Sequence, residues 1–184
     1  HVKSDKTAIV DLYDTKNPRE ITYKDFNASC DAVANGLLVS GIQPGSRVGI
    51  MALNRVEFLE VLFGAMRAGC VPVMINIKLP RDTIEYIIRD ARISIMFADG
   101  EQVGRIPLDV RVISFDSGSE NYNTFKIPTD EPFPSFLPGE TDLAEQPYTS
   151  GSTGKPKGVL LHHSGQVWMI KKIVQSRDIR MDDC

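Results

Sequence analysis

No apolar run in this 184-residue chain approaches the ~20 residues needed to cross a bilayer, and nothing at its start resembles a signal peptide. A membrane-spanning protein is not expected. Neither sign of charge dominates: 21 basic and 24 acidic residues give a net charge of −3 and a pI of about 5.6. That balance leaves no electrostatic footprint for nucleic acid. Cysteine is scarce. Cys30, Cys70 and Cys184 are odd in number, widely spaced and without metal-ligand pattern, so a disulfide framework and a zinc site are both disfavoured. A reduced, cytoplasmic setting is the expectation. Internal repeats are absent as well. What is present is an ordinary globular composition, 42% apolar and 24% charged, on a chain long enough for one sizeable core. The chain opens at His1 and closes at Cys184 just after an amphipathic stretch, and it reads as a piece of a longer protein.

The apolar pattern alternates between two periods. "TAIVDLY" and "REITY" flank Asn17-Pro18 and predict an antiparallel hairpin. Thr22 then caps a helix carrying Phe26, Cys30, Val33, Ala34, Leu37 and Leu38, which Gly41 ends. After the strand "RVGIMAL", Asn54 with Glu57 three residues on predicts a capping box and a second helix, apolar nearly all round and therefore buried. "CVPVMIN" is the next strand. Asp82 and Glu85 open a third helix with Ile84, Ile87, Ile88 and Ala91 on one face, and "ISIMFAD" and "VRVISFD" follow as continuous apolar strands. Strands apolar on both faces, alternating with helices, predict an α/β fold: a mostly parallel sheet with helices on both faces. Residues 1–116 form this α/β unit. Residues 117–147, rich in proline and acid, read as a linker-like surface connection. Residues 148–184 are expected to supply a loop hairpin with a strand "GVLL", then a helix with Val167, Ile170 and Val174 on one face and Lys171, Lys172 and Arg177 solvated.

The loop "PYTSGSTGKPKGVLLHH" carries the chemistry. A Walker loop requires Gly-x4-Gly-Lys-Ser/Thr with a helix opening at the lysine. Here Thr149 stands five residues before Gly154, and Lys155 precedes a proline and a β-branched strand. A P-loop NTPase is excluded, and so is the helix-dipole route to phosphate. The residue types still suit an anion. Gly151 and Gly154 permit positive φ, so that successive N–H groups converge. The hydroxyls of Thr149, Ser150, Ser152 and Thr153 can donate to phosphate oxygens or help orient a magnesium-bound cluster. Lys155 and Lys157 lie two apart, facing one way if the segment is extended, as point charges. On composition alone a phosphate cradle and a plain hairpin tip both remain open.

The order of residues goes further. "YTSGSTGKPKG" closely resembles the signature of the acyl-adenylate-forming (AMP-binding) enzymes, the superfamily of acyl-CoA synthetases, luciferases and peptide-synthetase adenylation domains. Ser150 to Gly158 match every fixed position of its core. "ITYKDF", "GIQPGSRVGI" and "FGAMRAGCVPVMIN" are similar to earlier family elements, so the resemblance covers nearly the whole chain. Departures are His162 for a common threonine, Ser164-Gly165 for a frequent Arg-Asn pair, and Gln146-Pro147 within what is often an apolar strand. His162 and His163 are expected to pack and to make strand-end hydrogen bonds rather than to act in catalysis.

The resemblance implies that the chain is the first part of a large N-terminal domain. It implies ATP-dependent activation of a small-molecule carboxylic acid as its acyl-adenylate, with Mg2+, and capture by a thiol. Coenzyme A is the expected acceptor, because "CVPVMINIKLP" resembles the acyl-CoA synthetase form of its element. A peptide-synthetase-type adenylation domain and a non-catalytic nucleotide- or acyl-binding relative are the alternatives. By the motif match Thr149, Ser150, Gly151, Ser152, Thr153, Gly154 and Lys157 would contact the ATP phosphates, with Lys155 in support. The family's acyl pocket, ribose-binding aspartate and catalytic lysine have no counterpart here, so no catalytic residue is identified, and oligomeric state is left open.

Overall fold

A computed structural model of the chain describes residues 4–107, 109–116, 118, 120–129, 133, 136–150 and 154–179. At its centre are four parallel strands, β3 (Arg47–Met51), β4 (Val71–Met74), β5 (Ile93–Ala98) and β6 (Arg111–Ser114), in the order β4-β3-β5-β6. Each strand is short and apolar on both sides because helices cover both sides. Side chains alternate across β5: Ile95 and Phe97 enter one core cluster, Met96 and Ala98 the other. The first cluster lies under α1 (Tyr23–Val39) and α2 (Val56–Arg67), the second under α3 (Arg81–Ala91). Full burial of each such side chain is worth about 1.5–3 kcal/mol, so these two layers hold most of the stability.

Local signals place most boundaries. The β1–β2 hairpin (Thr7–Asp11 and Arg19–Thr22) is antiparallel, as expected. Thr22 caps α1, its Oγ1 accepting from the Asp25 N–H at 3.1 Å. Ile84, Ile87, Ile88 and Ala91 of α3 are all buried.

Helix α2 departs from expectation twice. Its N-cap is Arg55, without a side-chain cap bond, so the Asn54–Glu57 capping box does not form. Asp11 of β1 instead accepts from the Val56 N–H at 3.4 Å, while arginines take up Glu57. Nor is the helix buried all round: Phe63 is 43% exposed, and the buried stripe includes Glu57 and Glu60. The 117–147 segment also differs from a surface connection. Its short helix α5 (Tyr122–Phe125) sinks both aromatic rings into the first core, and the Tyr122 hydroxyl donates to the buried Glu60. Further along, the Phe136 N–H donates to the Arg67 carbonyl at 2.8 Å, binding the segment to the end of α2. The single turn α4 (Gly100–Val103) follows β5.

The remaining elements are small. β7 (Leu143–Glu145) pairs with β10 (Leu161–His162), and β8 (Tyr148–Thr149) pairs with β9 (Lys157–Gly158), both antiparallel. The expected strand "GVLL" is thus split between β9 and β10. Helix α6 (His163–Ser176) is the last described element and has no buried residue.

Candidate functional site

In an open parallel sheet the usual ligand crevice lies beyond the strand C-termini, where successive crossovers leave in opposite directions. Here that point falls between β3 and β5, because the chain passes from β3 to β4 on one side and returns to β5 on the other. Arg55 occupies it. Its guanidinium bonds Glu57 at 2.8 Å, Asp99 at 2.9 Å and Asp116 at 3.0 Å, and stacks over Tyr13 and Phe115. Asp99 also accepts from the Leu53 N–H and Asp116 from the Gly100 N–H, each at 2.7 Å. Arg19 extends the network from Glu57 to Asp11. Burial pushes the Glu57 carboxyl up, but the hydrogen bonds from Arg19 and Arg55 outweigh it and hold the group below its ordinary value. These charges are matched against one another and tie the ends of β3 and β5 to β1 and α2. A neighbouring groove of about 700 Å³, lined by Leu12, Tyr13, Asn54, Asn76 and Lys78, remains open beside the plug.

The hairpin that carries the glycine-rich sequence lies elsewhere, with Tyr148 and Lys155 against α3. Its base pairs Tyr148 with Gly158 and Thr149 with Lys157. Gln146 ties this base to the sheet. Its N–H donates to the Pro72 carbonyl at 3.0 Å, its Oε1 accepts from Arg47, and its Nε2 donates to the Tyr148 hydroxyl, both at 3.2 Å. Pro147 has no N–H to give, so β7 and β8 are separate strands on either side of it. Tyr148 packs against the second core and donates to Asp90 Oδ2 at 2.5 Å. Burial and the adjoining Asp90 carboxylate push its phenol well above the usual value. A Cβ at Gly158 would lie 2.7 Å from Gln146 Nε2 and 3.1 Å from the Tyr148 ring, so a larger residue there would have to displace the side chains that tie the hairpin base to the sheet.

Of the loop residues named from the sequence, Thr149 and Lys157 come out side by side on paired strands. Lys157 is exposed and has no ion pair or side-chain hydrogen bond among the described residues. Ser150 begins the loop, and Gly154 closes it with φ +90° and nothing within 4 Å of a would-be Cβ. Gly151, Ser152 and Thr153 lie outside the described residues. Lys155 falls in a bend ahead of β9, so the two lysines do not share one extended strand; its Nζ sits 5.3 Å from the centroid of the Tyr86 ring. Both histidines make the expected strand-end hydrogen bonds, but His162 is exposed and does not pack. His162 Nδ1 donates to the Thr141 carbonyl at 2.7 Å, and the His163 N–H donates to the Asp142 carbonyl at 3.0 Å. Burial holds the His163 imidazole below its ordinary value. Sequence reasoning missed the supports, Tyr86, Asp90, Gln146 and Tyr148, because only folding brings α3 to the loop. Among the described residues no cluster of His, Cys, Asp or Glu could hold a metal ion, and no helix is long and apolar enough to cross a membrane.

The family described as AMP-binding enzyme matches residues 1–184. The chain belongs to that adenylate-forming family. It is 33% identical over 152 residues to tyrocidine synthase 1 of Brevibacillus parabrevis, covering 80% of this chain and 13% of that one. To feruloyl-CoA synthase of an Amycolatopsis species it is 29% identical over 165 residues, covering 89% and 32%. Among solved structures, an ATP-bound MatB from Rhodopseudomonas palustris superposes with TM-score 0.76 at 28% identity, over 85% of this chain and 32% of that one. A benzoate CoA ligase from Burkholderia xenovorans superposes with TM-score 0.78 at 22% identity, over 91% and 33%, a likeness of fold. The chain spans a third or less of each of these relatives.

Proposed function

We propose that this chain carries the phosphate-binding part of an enzyme that activates a carboxylic acid with Mg-ATP and transfers the acyl group to coenzyme A. In the first step the carboxylate oxygen attacks the α-phosphorus, the bond to the β-phosphate oxygen breaks, and pyrophosphate leaves with the electron pair. The acyl-adenylate is then taken by a thiol, with AMP leaving. Such chemistry needs placement and charge neutralisation more than covalent help. The observation that carries the reading is the polar end of the hairpin: Thr149 and Lys157 paired at its base, with the Lys157 ammonium facing no carboxylate among the described residues. The hydroxyls of Thr149, Ser150, Ser152 and Thr153 and the N–H groups around Gly151 and Gly154 would line the phosphates. Lys157 would neutralise them, with Lys155 in support. Magnesium would arrive with the ATP, bound by its phosphates.

A second reading is favoured by the relatives themselves. Tyrocidine synthase 1 and feruloyl-CoA synthase match this chain at nearly equal identity, so a carrier-protein thiol is the competing acceptor. The test is the full-length gene product with ATP, a panel of carboxylic acids and either coenzyme A or a phosphopantetheinyl carrier protein. AMP and a coenzyme A thioester are expected. Product on the carrier alone would overturn the acceptor, and absence of acid-dependent pyrophosphate exchange would overturn the activity. The 184 residues by themselves are expected to form no adenylate. Holding acid and nucleotide in line is worth about 7–11 kcal/mol in well-oriented systems, and on this reading the chain would carry only the phosphate end of such a site.

A further inference from the structure

Tyr86 and Asp90 stand one turn apart on α3 and so share a helix face. The hairpin lies along that face. Asp90 takes its base through Tyr148, and the Tyr86 hydroxyl reaches the same carboxylate at 3.4 Å. Further toward the start of α3, the Lys155 ammonium lies over the Tyr86 ring. No carboxylate pairs with Lys155 among the described residues; the face of the ring is its partner. The two contacts differ in kind. Asp90 and Tyr148 seat the hairpin by a hydrogen bond at the edge of the second core. Tyr86 holds a cation that belongs, by its place in the loop, beside the phosphates.

We propose that Tyr86 is a resting perch for Lys155 and that a bound polyphosphate competes with the ring for the ammonium, so that Tyr86 sets how tightly the hairpin takes phosphate. The inference rests on the hairpin's being a phosphate site. An exposed cation–π contact is worth about a two- to fivefold factor in an equilibrium. A charge-assisted contact to phosphate is stronger, so the lysine transfers to the ligand, and the perch is lost on binding. Tyr86 therefore acts as a positioning residue working against affinity. A residue that merely supported the loop would have the opposite sign.

The test is a nuclear magnetic resonance titration of this chain with inorganic tripolyphosphate, read at the Lys155 side-chain methylenes and at the backbone amides of Tyr148, Thr149, Lys157 and Gly158. Lys155→Met assigns the methylene signals. Without ligand, ring current should shift the Lys155 methylenes upfield in the wild type and in Tyr86→Phe, and the shift should vanish in Tyr86→Leu. On titration the upfield shift should disappear as the hairpin amides move. Tyr86→Leu should bind tripolyphosphate about two- to fivefold more tightly than wild type, and Tyr86→Phe should restore wild-type affinity. In a Lys155→Met background, Tyr86→Leu should no longer change the affinity. Absence of the ligand-free shift, or equal or weaker binding by Tyr86→Leu, overturns the proposal. If tripolyphosphate moves no hairpin amide in any variant, the phosphate reading falls and the competition falls with it. The ligand-free spectra distinguish that outcome, because they read the perch with no phosphate present.

Discussion

Arg55 and Lys157 are both cations beside strand ends, yet Arg55 touches three carboxylates and Lys157 touches none among the described residues. The regions around them differ in the same way. Around the four-stranded sheet, charges are matched, aromatic rings interlock, and buried side-chain polar atoms among the described residues all have partners. In the hairpin and α6, strands are two residues long and α6 buries nothing. The first region is built to stay folded. The second leaves the Lys157 ammonium without a carboxylate among the described residues, so that it is available to an outside anion. Arg55 fills part of the crevice where this sheet type usually takes its ligand, and the proposed function puts the phosphates at the hairpin instead.

The strongest way to break the comparison is Arg55→Ala. It leaves Glu57, Asp99 and Asp116 without their shared cation in a site where the Arg55 side chain is 8% exposed. Removing one partner of a buried pair costs about 3–5 kcal/mol; with Asp116 itself 42% exposed, about 3 kcal/mol is expected here. In urea this lowers the unfolding midpoint by roughly 1 M or more. A loss below about 1 kcal/mol would show that the network is not what holds the sheet ends.

Lys157→Ala should do the reverse. With no side-chain partner to lose among the described residues, the urea midpoint should stay within experimental error. In the full-length gene product, adenylate formation should fall roughly tenfold to a hundredfold, the worth of a charge-assisted phosphate contact, about 1.5–3 kcal/mol. Thioester formation from supplied acyl-adenylate carries no polyphosphate and should be nearly unaffected. Equal slowing of the two half-reactions would remove Lys157 from its assigned role.

Acid should separate the regions more gently. Burial raises the carboxyls of Asp11, Glu57 and Asp116, but hydrogen bonds from arginine and backbone N–H groups outweigh it, leaving all three below their ordinary values. A lowered carboxylate stabilises the fold above its unfolded value, near about pH 4, and that stability is lost as pH falls through the folded value. Urea midpoints should therefore slip slightly from about pH 7 to about pH 5, where the unfolded chain takes up a proton at His163 more readily than the folded one, and decline more steeply below about pH 4. In Arg55→Ala the acid decline should be shallower, because the cation that lowers Glu57 and Asp116 is gone. An identical slope in both proteins would count against the network as the cause.

What can be read from the sequence follows the same division between local and distant partners. Thr22 is legible as a cap because its partner Asp25 is three residues away, and the parallel sheet is legible because apolar runs cannot be solvated on either face. Glu57 misleads because its partners include Arg19, 38 residues back, which claims the carboxylate that a capping box would use. Tyr122 and Phe125 carry no periodic signal in a four-residue helix, so their burial under α1 and α2 is invisible in the sequence. The loop is legible because its donors are contiguous. Its seat on α3 is not, since Asp90 lies 58 residues before Tyr148 and only the fold joins them.

The smallest expected effect belongs to Trp168, the single tryptophan. It lies on α6 at 64% exposure, amid Val167, Met169, Ile170, Ile173 and Val174, all at least 40% exposed. An apolar group that touches little loses little on removal, so Trp168→Ala should change the unfolding free energy by no more than about 0.5 kcal/mol. Its fluorescence should be that of an indole in water, red-shifted, and accessible to iodide. An exposed apolar stripe of this kind also invites association, so dilution is the control. If emission is blue-shifted at high concentration and red at low, α6 is being covered by a second copy. If it is blue-shifted at every dilution, or the substitution costs more than about 1 kcal/mol, α6 packs on its own chain. The contrast between a self-satisfied sheet and an unspent C-terminal region would then be confined to the hairpin.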